Sequence, residues 1–177
     1  MTKQGNLPLK IEPIRLAETG QAFSGRLPIK HLHRLKSLVV SQTGDVEIKL
    51  QFGVDEIGIR YLQGHMATSL QLECQRCMEP MELQLDKDML IAFVKSSVEA
   101  EELPDNYDPQ VVEQTPIALV DLIEDELILS LPQVPMHKRE DCVASKLLDT
   151  EAALEANNEP EVVKNPFEIL ATLKDSE

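Results

Sequence analysis

The sequence predicts an α+β fold, an antiparallel meander sheet with a few short helices and an acidic flexible segment near the C-terminus. Three observations predict it. Apolar residues alternate with polar ones through the middle of the chain, which is the period of a half-buried strand. The connections between these alternating runs are short, as antiparallel neighbours allow. Helical spacing of apolar residues is confined to short stretches outside that middle region. With 177 residues, 42% of them apolar, the chain can bury one core of ordinary size.

The elements follow in chain order. Residues 7–16 (LPLKIEPIRL) read as extended, and Pro8 and Pro13 confine such a segment to a sheet edge. Residues 28–39 (PIKHLHRLKSLV) predict a short helix. Pro28 suits its first turn, and Ile29, Leu32, Leu35 and Val39 share one face. In residues 45–54, Val46, Ile48, Leu50, Phe52 and Val54 keep strict period two. The alternation resumes after Asp55-Glu56 in 57–62, then in 66–74, and again in 81–94 through Met81, Leu83, Leu85, Met89, Ile91 and Phe93. Residues 97–114 are acidic and contain proline, so a loop is expected. Thr115-Pro116 then opens a helix over 116–131, Thr as N-cap and Pro in the first turn. Ile117, Val120, Ile123, Leu127 and Leu131 form its apolar stripe, and Pro132 stops it. The expected organisation is a single domain over 1–143, an acidic tether over 144–164, and a short helix over 165–177.

Composition narrows the function classes. No apolar run approaches the ~18–20 residues that span a bilayer, and Met1 to Lys10 lacks the apolar stretch of a secretory signal. With three cysteines and no export signal, a reducing cytoplasm is the expected compartment, with no membrane partner. Aromatics make up 3% and Trp is absent, which argues against a platform for stacking bases. Seven glycines are too scattered for a phosphate-cradling loop. No serine elbow, zinc-protease helix or kinase signature occurs. The expectation is a protein that is not an enzyme.

Charge points to a partner. The net charge is −14, which opposes whole-surface attraction to nucleic acid. Residues 1–44, however, hold seven Lys/Arg against two acids, and the remainder ten against 29. Arg26, Lys30, Arg34 and Lys36 sit on or beside the expected 28–39 helix with no acid among them. They are expected to face water and to be able to contact phosphate. His31 and His33 have no nucleophile or orienting group nearby in sequence, so they read as part of the same solvated face. Asp121, Glu124 and Asp125 share a helix face. They read as a solvated face, as a contact for a basic partner, or as carboxylates for a metal-dependent hydrolase.

The cysteines suggest a metal. Cys74 and Cys77 stand at C-x2-C spacing between two expected strands, and His137 and Cys142 stand at H-x4-C. Three thiolates and one imidazole satisfy tetrahedral zinc. The alternative is that the cysteines are small apolar core residues. A thioredoxin-like redox role needs a helix after the motif, and here Glu79-Pro80 leads into another strand.

Several stretches taken together resemble the YceD family. They are LECQRCMEP at 72–80, DLIEDELILSLPQVPMH at 121–137 with Cys142, NPFEILATLK at 165–174, and LPLKIEPIRLA at 7–17. The resemblance runs over nearly the whole chain and implies a role in synthesis, processing or stability of 23S ribosomal RNA. It brings no catalytic residues with it. Implied partners are ribosomal RNA, a large-subunit ribosomal protein or another assembly factor, and not DNA. The alternatives are a zinc-held adaptor for a basic ribosomal protein and a metal-dependent RNA-processing hydrolase.

Overall fold

The structure, a computed structural model, describes residues 3–4 and 7–147. The chain divides into two compact units, residues 1–136 and residues from 137 onward. No helix among the described residues is long and apolar enough to cross a membrane.

The first unit is the expected mixed α+β meander. Its elements are β1 (Lys3–Gln4), β2 (Lys10–Ile11), α1 (Pro13–Glu18), β3 (Ala22–Pro28), two 3-10 turns (Ile29–His31 and Leu35–Ser37) and β4 (Asp45–Val54). Then come β5 (Arg60–Glu73), β6 (Pro80–Val94), α2 (Ser97–Glu101), β7 (Asp108–Val111), β8 (Ile117–Ala118) and α3 (Leu119–Leu129). Six strands form one sheet in the order β1-β3-β4-β5-β6-β7, and β2 pairs with β8 separately. Strands β3 to β6 are antiparallel neighbours, while β1 and β7 join the edges in parallel.

Alternation puts one sheet face in the core. Val46, Ile48, Leu50 and Phe52 of β4 are buried with Leu62, Met66 and Leu70 of β5 and Leu85, Met89 and Ile91 of β6. Phe52 meets Phe23 edge-on at 6.0 Å and stacks with Phe93 at 6.2 Å between ring centroids. Gly64 lies between Leu50 and Met89 in register, and a Cβ there would run into the Met89 side chain. Ile29, Leu32 and Leu35, with Leu119, Leu122, Ile123 and Leu127 of α3, complete the same core. The β4–β5 connection turns on Asp55. Its Oδ1 accepts from the N–H groups of Ile57 (3.0 Å) and Ile59 (2.8 Å), and its Oδ2 accepts from the Tyr107 hydroxyl. Gly58, at φ 89°, provides the left-handed residue this turn needs.

Five expectations need correction. The 28–39 helix is two isolated 3-10 turns. The amides of Arg34 and Leu35, which would continue a helix, instead donate to the Glu124 carboxylate. Helix α3 starts at Leu119, because Ile117 and Ala118 pair with Ile11 and Lys10 first; the Thr115-Pro116 peptide is cis. The 97–114 loop contains α2, capped by Ser96, and β7, which pairs with β6. Of residues 7–16, only Lys10 and Ile11 are a strand, and α1 begins at Pro13. The two alternating runs 57–62 and 66–74 are one strand, β5, and β3 had no distinct signature in the sequence.

Of the second unit, residues 137–147 are described. The boundary expected at 143/144 falls inside a helical stretch, 143–147, in which Ser145 is buried. The rest of the expected tether, 148–164, and the expected helix over 165–177 lie outside the described residues.

Candidate functional site

Two clusters hold the residues that the sequence nominated. The first joins the basic segment to α3. Glu124 is 3% exposed. Its Oε1 accepts from Arg34 N–H (2.7 Å) and Leu35 N–H (3.0 Å), and its Oε2 accepts from Arg34 Nε (3.1 Å). Arg34 Nη1 also pairs with Asp125, and Nη2 donates to the Asp121 carbonyl at 3.0 Å. Burial pushes the Glu124 carboxyl up. The Leu35 amide and the Arg34 donors outweigh it and hold the group below its ordinary value. The Asp125 and Glu124 hydrogen bonds raise Arg34 in turn. This is a carboxylate used to terminate a turn and bridge two segments 90 residues apart.

That arrangement sorts the nominated charges. Arg34 is exposed, as expected, and is engaged by α3 as well. Arg26 lies across from Glu47 in the sheet and pairs with it at 2.5 Å, both side chains being exposed. Lys30, Lys36, His31, His33, Asp121 and Asp125 are exposed. Glu124 is the buried exception to the expected solvated face. Sequence reasoning missed the Arg34–Glu124 pairing because nothing local connects residues so far apart.

The second cluster is built on the β5–β6 connection. The last register pair is Glu73 with Pro80, so Cys74 to Glu79 form the tip. Cys74 N–H donates to Glu79 C=O (3.0 Å), and Met78 N–H donates to Cys74 C=O (2.8 Å). Met78 closes the turn with φ 61°, a left-handed conformation uncommon outside glycine. Cys74 is buried and Cys77 half-buried. Gln75 N–H donates to Pro135 C=O at 2.8 Å, and Arg76 Nη2 approaches the Met136 sulfur at 3.5 Å. These contacts bring the end of the first unit to the cysteine turn. His137 is the next residue in the chain.

His137 and Cys142 are linked by a tight turn of their own. Lys138 C=O accepts from Asp141 N–H (3.0 Å) and Cys142 N–H (3.1 Å), and Cys142 C=O accepts from Lys146 N–H as the helical stretch begins. Cys142 is buried and His137 half-buried. Cys74, Cys77, His137 and Cys142 together make a Cys3His group that could hold a metal ion. All three cysteines are thiols. Thiolate and imidazole donors suit zinc among the common cellular metals.

A third feature had no signal in the sequence. A groove of about 800 Å³ runs beside the cysteine turn between residues 37–40, the end of β5 and the last turn of α3. Its lining is more apolar than polar, and Glu73 is its only charged lining residue.

Comparison with known proteins places these features in a family context. The family described as large ribosomal RNA subunit accumulation protein YceD matches residues 62–174. A Haemophilus influenzae protein named large ribosomal RNA subunit accumulation protein YceD is 36% identical over 171 residues, spanning 95% of this chain and 96% of that protein. No solved structure matches.

Proposed function

The chain belongs to the YceD family, and from that membership we propose that it supports accumulation of the large subunit's 23S ribosomal RNA in the cytoplasm, as an assembly factor that catalyses no reaction. The observation that carries the reading is the match to a named relative over nearly the full length of both chains. The state of the acidic helix supports the non-catalytic part. A hydrolase would need Asp121, Glu124 and Asp125 turned towards a shared metal. Glu124 is instead occupied by three N–H donors, and Asp125 by Arg34.

A clean deletion tests the role. The 23S to 16S ratio should fall, most clearly in the cold or in fast growth. An unchanged ratio under both conditions overturns the proposal. Purified protein incubated with precursor ribosomal RNA and Mg²⁺ should leave it uncut, whereas cleavage restores the hydrolase alternative. Contact with RNA, where it occurs, would run through the exposed cations Arg26, Lys30 and Lys36. Arg34 is left out of that test because it also pairs with α3.

Zinc belongs to the same reading. The proposed ligands are Cys74 and Cys77 from the β5–β6 turn, with His137 and Cys142 from the turn that follows. Four protein donors leave no open position for substrate, which is the pattern of a structural site. Bound zinc would supply folding energy rather than reactivity. Protein purified without oxygen should carry one zinc per chain, and a chelator should lower its melting temperature. Zinc-free protein whose melting is unchanged by chelation rules the site out.

A further inference from the structure

We propose that the groove beside β5 receives an extended, basic segment of a partner protein, which pairs with the unpaired amides at the end of β5 and places a cation on Glu73. The inference goes beyond the ribosomal RNA reading and is measured on purified protein, so either can fail without the other.

The edge comes first. Strand β5 outruns β4. The register ends at Glu47 opposite Ala67, while β5 continues to Glu73. Val40 N–H donates to Gln71 C=O at 2.7 Å. A residue's N–H and C=O point to the same side of a strand, and alternate residues share that side. The amides of Gln71 and Glu73 therefore point to this edge too. Among the described residues, no backbone carbonyl meets them there. Two unpaired amides at a strand end can pair with one or two residues of an added strand.

The wall beside it selects the strand's side chains. Leu129, Val40 and Leu38 are 79%, 51% and 46% exposed. An added strand presents side chains with period two, so alternate apolar residues would lie on this wall. Charge selects the rest. Glu73 is exposed and, among the described residues, takes part in no ion pair. The groove has no lysine, arginine or aromatic residue to meet a phosphate or a base, which favours a polypeptide over RNA. A net charge of −14 steers a basic chain towards this protein.

The probe is a blocked peptide of alternating Lys and Val, with the Glu-Val peptide as control, added to the full-length protein. Amide hydrogen exchange should slow at Gln71 and Glu73 with the Lys-Val peptide and not with the Glu-Val peptide. Leu129→Lys and Glu73→Lys, with core exchange as in wild type, should each weaken binding by about tenfold. Glu73→Gln, which removes only the charge, should weaken it less. Equal affinity for both peptides, or binding unaffected by these variants, overturns the proposal. So do two other outcomes. A ribosomal RNA fragment that protects the same amides would make the groove an RNA site. Concentration-dependent protection without peptide, lost in Leu129→Lys, would make it a contact between two copies of this chain.

Discussion

Glu124 and Glu73 are the same residue type put to opposite uses. Glu124 is buried and accepts from two backbone amides and a guanidinium. Glu73 is exposed beside the groove and is in no described ion pair. Within the acidic helix, where the sequence concentrates its candidate partner-binding charges, the best placed carboxylate is consumed in holding the fold. The isolated acid at the end of β5 remains available. A charge's number of neighbours of like sign therefore says little about its availability, whereas the donors within reach decide it.

The contrast can be broken at its strong end first. Glu124→Ala should cost about 1–3 kcal/mol, because it strands the amides of Arg34 and Leu35. Urea unfolding measures this. Loss near zero would mean that water replaces the carboxylate fully. Acid should produce a smaller effect with a definite sign. The Glu124 carboxyl is held below its ordinary value of 4.5. Its contribution is therefore complete above about 4.5 and is lost as pH falls through the lower folded value. Wild type should lose stability in that window relative to Glu124→Gln, and parallel pH curves would contradict the assignment. Arg34→Ala should cost less than Glu124→Ala, since the two backbone donors still hold the carboxylate. Glu73→Gln should move stability by no more than about 0.5 kcal/mol. A larger loss would show that Glu73 also serves the fold.

What was legible in the sequence follows from what is local. Strand β4 stands over the expected residues, 45–54, because Val46, Ile48, Leu50 and Phe52 each alternate with a polar neighbour. The β5–β6 turn was legible because C-x2-C is a local pattern, and the Cys3His grouping followed from counting donors against zinc's needs. Residues 28–39 misled because their apolar spacing fits a helix, while the deciding partner, Glu124, lies 90 positions away. Strand β3 was obscure because Gly25 and Pro28 interrupt its alternation and much of it is only half-buried. The groove was invisible because residues 37–40, 72–75 and 128–135 meet only in three dimensions.

The span between Arg34 and Glu124 also bears on the order in which the chain acquires its structure. Strands β4, β5 and β6 pair with sequence neighbours across short turns, and contacts of low sequence separation close quickly. During synthesis that hairpin stack can form while α3 is still inside the ribosome. The amides of Arg34 and Leu35 must then wait about 90 residues for their acceptor, which at roughly 5–20 residues per second is a delay of several seconds. A nascent chain halted with α3 still inside the ribosome should accordingly show protected strands and an exchange-open 29–37 segment. Release of α3 should close that segment in a single late step.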